Sequence, residues 1–305
     1  MIPLFDLHCD TFSELYKNGF SFDNAPLHIS HNKAKEFLPY IQVCAIWSDF
    51  RLSDRQAYSQ YRNILNYINR RNIKLSTKLD TYSKNTFILS VEDARILQND
   101  INILYQLQND GIRVLTLNWK GVTCIGGGWN TSTPLTKFGT GVVNYCFENG
   151  IAVDLSHSSE AVQHQVIKIA FKNGYSPIFS HSNAFSVCAH PRNITDSVFK
   201  EIVHLKGLIG ISMCPEHLSL NHPADLSSII SHVEHFISLG GENCVALGCD
   251  FDGISTLPIG ITSIESLRIL YDAFNIEFGK NITQKIFFKN AYRYFFNLLN
   301  EKERR

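Results

Sequence analysis

The sequence predicts a single (β/α)8 barrel over residues 1–305, and three observations predict it. Eight short runs rich in β-branched and apolar residues recur along the chain. None alternates strictly between apolar and polar, as expected of strands buried on both faces of a parallel sheet. Stretches of helical length and period lie between them, giving the order of βαβ units, and eight such strands close a barrel. A doubly wound open sheet is the competing architecture.

Taken in order, the first strand is Pro3–Cys9, followed by an elaborated loop over 11–36. The second is Ile41–Trp47, and a helix over Arg55–Arg71 then places Tyr58, Tyr61, Ile64, Leu65 and Ile68 on one face. Phe87–Val91 is the third strand, and a helix over Ala94–Gln108 ends before Gly111, a residue suited to a helix stop. Val114–Asn118 and Ile151–Ser156 are the fourth and fifth strands. Between them, residues 121–135, with Gly126–Gly128 and Trp129, read as a rim loop. A helix over Ala161–Lys172 leads to strands at Pro177–Ser180 and Leu208–Met213. Asp225–Leu239 is helical before the eighth strand, Val245–Gly248, and helices over Ser263–Phe278 and Gln284–Leu299 follow.

Composition narrows the function. Lys plus Arg number 28 and so do Asp plus Glu, so the chain lacks the basic excess a nucleic-acid binder uses to neutralise phosphates. Hydrophobic content of 44% against 18% charged excludes disorder. No run approaches eighteen apolar residues, which predicts no membrane span. The N-terminus enters a strand-like run without a basic n-region, and the eight cysteines form no CxxC pair; both predict a cytoplasmic protein with reduced thiols.

Polar residues gather where a barrel builds its active site, at the C-terminal strand ends. The first strand ends in His8-Cys9-Asp10, the third in Glu92, the fifth in His157, the sixth in His181 and the eighth in Asp250-Phe251-Asp252-Gly253. Residues i and i+2 of a strand share a face, so His8 and Asp10 can chelate one ion together. Imidazole and carboxylate suit Zn²⁺, with Mn²⁺ or Co²⁺ as alternatives, and a central Glu can bridge two ions. Other candidates read as structural. His232-Val-Glu-His235 fails the HExxH pattern. His28, His31, His164, His204, His217 and His222 have no carboxylate in register. His190 lies nearer the rim. Asp154 and Asp252 read as supporting residues and Cys9 as packing.

The segments Asp6–Thr11, Ser90–Ala94, Leu115–Trp119, Val153–His157, Pro177–Ala184, Ala189–Asn193, Leu247–Gly253 and Asn290–Phe295 together resemble the membrane (renal) dipeptidase family of zinc dipeptidases, in its bacterial cytoplasmic branch. They run in family order from residue 6 to about 296. The resemblance implies a metal-dependent hydrolase barrel with two Zn²⁺ per chain. His8, Asp10 and Glu92 would hold one ion, and Glu92 would bridge to a second on His157 and His181. Arg192 would bind the substrate's C-terminal carboxylate, with Asn193 supporting the loop. Asp250 would orient the attacking hydroxide and protonate the leaving amine, with Glu92 as its catalytic companion. Trp119 stands where mammalian-type members place a substrate-contacting His.

The implied reaction is hydrolysis of dipeptides, with tolerance of a C-terminal D-residue. Charge balance and the lack of a long apolar run predict no nucleic-acid or membrane partner, and the resemblance implies a homodimer. An amidohydrolase acting on N-acyl amino acids or cyclic amides is the rival that Trp119 keeps open. A catalytically silent barrel with a binding role is the third.

Overall fold

The computed structural model describes residues 1–79, 85–221 and 223–300, so His222 lies outside the described residues. Eight parallel strands follow one another in chain order round a closed barrel. They are β1 (Ile2–Cys9), β2 (Phe37–Trp47), β3 (Asn85–Glu92), β4 (Ile112–Thr116), β5 (Ala152–Asp154), β6 (Ile178–Phe179), β7 (Leu208–Ile211) and β8 (Val245–Leu247). β2 and β3 pair over eight residues, from Tyr40↔Asn85 to Trp47↔Glu92. The barrel closes where Asp6 of β1 pairs with Leu247 of β8. The expectation of a (β/α)8 barrel is met. β2 starts four residues before its expected bound, because Pro39 near the start of a strand forfeits little ladder bonding.

The helices are α1 (Thr11–Asn18), α2 (Asp54–Arg70), α3 (Ile101–Asn109), α4 (Lys137–Glu148), α5 (Glu160–Asn173), α6 (Asp196–His204), α7 (Pro215–Leu218), α8 (Leu226–Ser238), α9 (Leu267–Gln284) and α10 (Asn290–Asn300). α2 begins with a capping box: Ser53 Oγ accepts from the Gln56 N–H, and Gln56 Oε1 accepts from the Ser53 N–H. Three expectations need correction. The stretch 11–36 is not all loop, since α1 buries Phe12 and Leu15. The helix expected over Ala94–Gln108 is a short 3₁₀ turn, Ala94–Leu97, followed by α3. Gln98 (φ 52°) and Asn99 (φ 62°) are left-handed between the two, and the Asp100 side chain caps α3 at the Asn102 N–H. α9 runs through the boundary expected near Phe278, with its break at Gly279 (φ 74°).

The barrel interior is packed, and its lower end is plugged. Phe5, Leu7, Ile41, Val43, Ile88, Val114, Ile178 and Leu208 point inward and form one apolar cluster with Ala291, Phe295 and Leu299 of α10. The Phe5 and Phe295 rings lie 5.1 Å apart. Hydrogen bonds seat α10 at the N-terminal strand ends: Asn290 donates to the Val245 carbonyl and Tyr294 to the Ser176 carbonyl. At the opposite end, the C-terminal mouth opens onto a cavity. A second, larger cluster fills the layer between strands and helices. Among the described residues no helix is long and apolar enough to cross a membrane.

Candidate metal centre

Five of the eight strand ends deliver polar groups to the mouth, and β1 delivers two. His8 is the penultimate residue of β1 and Asp10 follows the strand; Glu92 is the last residue of β3. His157, His181 and Asp250 lie just past β5, β6 and β8. His157 (φ 65°) and Asp250 (φ 60°) are left-handed, a conformation that non-glycine residues hold only when their surroundings enforce it. Gly253 makes room for the carboxylates, since a Cβ there would meet Asp10 Oδ2 at 2.3 Å and Asp250 Oδ1 at 2.4 Å.

The two oxygens of Glu92 face two different groups. Oε2 is 3.4 Å from His8 Nε2, which is itself 3.4 Å from Asp10 Oδ2 and 3.8 Å from Asp250 Oδ1. Oε1 is 2.9 Å from His157 Nε2 and 3.8 Å from His181 Nε2, and those two nitrogens are 2.8 Å apart. Three overlapping sets can each converge on one cation: His8, Asp10 and Glu92; Glu92, His157 and His181; and His8, His181 and Asp250. His8 Nδ1, His8 Nε2, Asp10 Oδ1 and His157 Nδ1 are buried without hydrogen-bond partners. Buried polar atoms without partners are costly. Nitrogen and oxygen donors aimed at common points therefore fit divalent cations.

The electrostatics agree with that fit. Burial, reinforced by Arg192, pushes His157 well below the usual imidazole range; for His181 burial is reinforced by His8 and His157. Both present neutral rings. Burial raises Asp250 well above the carboxylate range and raises Glu92 too, the neighbouring Asp10 adding to both. Burial disfavours a charge on His8, but Glu92 and Asp10 outweigh it and lift that ring well above its ordinary value. A cation would relieve this crowding of carboxylates.

A supporting layer centred on Asp154, expected as a supporting residue, fixes one ring. Asp154, fully buried, accepts from Thr116 Oγ1 (2.6 Å), Ser180 Oγ (2.6 Å) and the backbone N–H groups of Ser156 and Ser180. Ser180 Oγ also lies 2.8 Å from His181 Nδ1. Its single proton goes to Asp154, so His181 Nδ1–H donates to Ser180 and Nε2 keeps its lone pair for the mouth. Asp252 accepts from Thr11 Oγ1 and the His28 N–H, both at 2.6 Å, tying the end of β8 to residues 11 and 28. His28 thus has a carboxylate neighbour after all, and so does His164, 3.5 Å from Glu160. His232 is structural: its Nδ1 accepts from the Ala184 N–H and its Nε2 bonds the Leu218 carbonyl.

Above the candidate ligand groups lies a cavity of about 410 Å³, within the usual range for small-molecule sites. It is lined by Glu92, His157, Asp250 and Arg192, and by all three tryptophans of the chain, Trp47, Trp119 and Trp129. Arg192 is buried, donates to the His181 carbonyl at 3.4 Å, and leaves its Nε without a partner. Asn193 braces its loop by donating to the Cys188 and His217 carbonyls. His190 and His217, with rings 4.6 Å apart, also line the cavity. Sequence reasoning missed His217, because the turn that places it follows β7 without any strand-end pattern.

Comparison with known proteins sets this site in context. The family model for membrane dipeptidase (peptidase family M19) matches residues 1–303. An uncharacterized dipeptidase of Schizosaccharomyces pombe is 28% identical over 60% of this chain and 46% of its own length. Dipeptidase 3 of Macaca fascicularis is 25% identical over 64% of this chain and 41% of its own. The matched region thus spans less than half the length of these curated relatives. A metallo peptidase from Rhodobacter sphaeroides, liganded with a phosphinate mimic of the dipeptide L-Ala-D-Ala, superposes with a TM-score of 0.88. It is 22% identical, with 98% of each chain covered. The dipeptidase AC structure gives a TM-score of 0.87 at the same identity and coverage. The solved structures establish likeness of fold, and the match over nearly the whole chain establishes kinship: the protein belongs to the membrane dipeptidase family, peptidase family M19.

Proposed function

We propose that the chain is a metal-dependent dipeptidase using two Zn²⁺, one on His8, Asp10 and Glu92 and the other on Glu92, His157 and His181. The observation that carries this reading is the two-faced Glu92 carboxylate, with separate nitrogen donors on each oxygen. The names of the relatives and the dipeptide mimic in the Rhodobacter structure support it, and that ligand's D-residue supports tolerance of one at the C-terminal position. The eight free cysteines support a reducing, cytoplasmic setting.

Divalent cations in such a site supply Lewis acidity, polarising a carbonyl and making a nucleophile of water at neutral pH. The chain supplies the rest. Arg192, buried and short of acceptors, takes the substrate carboxylate as a two-pronged donor. Asp250 Oδ1, on the His8 side of Glu92, receives the proton of the attacking water and passes it to the departing amine as the C–N bond breaks. The cavity walls exclude bulk water and hold the scissile carbonyl over Glu92.

Assaying zinc-loaded protein on a panel of L,L and L,D dipeptides tests this, with a chelated sample as control. Cleavage that chelation abolishes is expected. Protein that binds two metals per chain and leaves every dipeptide intact would overturn it. Glu92→Ala should lose both ions together. A second reading, hydrolysis of N-acyl amino acids, is favoured by Trp119, which puts an apolar face beside His157 (ring centres 5.9 Å apart). Relative rates on dipeptides and N-acyl amino acids separate the two.

A further inference from the structure

The cavity has two chemically different ends, and barrel order sets them opposite each other. Arg192 and His217 reach it from the segments after β6 and β7. Across the mouth, Trp47 ends β2 and Trp119 follows β4. The Trp47 ring stands edge-on to Trp119 at 5.5 Å, and Phe50 stacks on Trp119, also at 5.5 Å. Lys120 covers the Phe50 ring, with its Nζ 5.1 Å from the centre. Trp119 continues this aromatic surface as far as His157.

The wall is held in place before any ligand arrives. Its segment over 48–54 is clamped by the buried Arg95, whose guanidinium donates to the carbonyls of Leu52 (2.7 Å) and Asp49 (2.8 Å). Asp93 Oδ2, 3.2 Å from Arg95 Nε, orients the clamp from the residue after Glu92. The half-buried Trp47 and Trp119 thus offer rigid apolar area at little entropic cost.

We propose that Trp47 and Trp119 form the subsite for the side chain on the N-terminal side of the scissile bond, and that they select aromatic and large apolar side chains there. The inference rests on the dipeptidase reading. With the carboxylate on Arg192 and the carbonyl over Glu92, a dipeptide extends its N-terminal residue toward the β2–β4 side of the mouth. Ring stacking and loss of apolar surface from water reward a Phe or Leu side chain at that point, whereas Gly gains nothing.

The test measures kcat/KM of the zinc-loaded enzyme on Gly-Ala, Ala-Ala, Leu-Ala and Phe-Ala, and on Ala-Gly, Ala-Leu and Ala-Phe. Phe-Ala should exceed Gly-Ala by at least tenfold, and Trp119→Ala should reduce that ratio about tenfold while leaving the Ala-Phe to Ala-Gly ratio within twofold. Trp119→Phe, which preserves an aromatic face, should retain most of the preference. If Trp119→Ala does not fold, Trp47→Leu is read in the same way. Because every tryptophan lines the cavity, titration of the metal-free protein followed by tryptophan emission gives a second measure, in which Phe-Ala should bind more tightly than Gly-Ala. Cleavage of all X-Ala substrates within threefold, or a preference that survives both substitutions, overturns the subsite. Failure to cleave any dipeptide overturns the dipeptidase reading instead.

Discussion

His181 shows how much a single ring depends on what lies behind it. Its Nδ1–H is committed to Ser180 because Ser180 is committed to Asp154, and that order leaves the Nε2 lone pair facing the mouth. Ser180→Ala removes the acceptor and frees the ring to rotate or change tautomer. Zinc affinity, measured by competition with a chromophoric chelator, should fall about 10–100-fold with little change in folding; unchanged affinity would refute the relay. His232 illustrates the opposite case, a ring kept neutral for structural reasons. Burial pushes its pKa down to about 4 from an ordinary 6.5. The unfolded chain therefore binds the proton first as pH falls, and the contribution of the neutral ring is present above pH 6.5 and is lost between 6.5 and 4. The slope is roughly 1.4 kcal/mol per pH unit. His232→Gln can keep both hydrogen bonds without a titrating group, so urea midpoints should fall less steeply over that window than in the wild type. At this scale the polar groups that meet at the mouth were legible, because strand ends expose them in the sequence. Ser180 and the His28–Asp252 pairing were not, since each depends on contacts between residues far apart in the chain.

α4 sets helix propensity against packing. Its two glycines, Gly139 and Gly141, hide the helix from a propensity reading, so propensity predicts no helix there. Only one of them is required. A Cβ at Gly139 would meet the Ile125 carbonyl oxygen at 2.1 Å, whereas at Gly141 nothing lies within 4 Å. Propensity alone favours Ala over Gly by about 0.8–1.0 kcal/mol inside a helix. Gly141→Ala should therefore stabilise by up to that amount. Gly139→Ala should reverse the sign and destabilise by about 1–3 kcal/mol, as overpacking does. Equal shifts in urea midpoint for the two would remove the packing argument. α6, with nine residues, was also unnamed in the sequence, although the Thr195 cap, whose Oγ1 accepts from the Val198 N–H, and the apolar face of Val198, Phe199 and Ile202 mark it. The long amphipathic α2 was legible for the opposite reason, having a capping box and an apolar face repeated over four turns.

For the whole molecule, the decisive arrangement is that the last helix closes what the first strand opens. α10 inserts Phe295 and Leu299 into the cluster that contains Phe5 of β1, and Asn290 bonds the first residue of β8. The barrel interior thus depends on residues nearly 300 positions apart. This gives a physical basis for a single cooperative unit over the chain, which length and composition left open. Phe295→Ala leaves a cavity on the barrel axis and should cost about 3–5 kcal/mol. The candidate metal ligands lie at the other end of the strands, so the folded fraction of this variant should still bind zinc with wild-type stoichiometry. Near-ultraviolet and far-ultraviolet circular dichroism recorded along one urea gradient, with metal content measured on the folded sample, make the check. Coincident transitions at a lower midpoint with intact stoichiometry are expected. Two separated transitions, with the mouth surviving after the lower end has melted, would show that the barrel does not unfold as a unit.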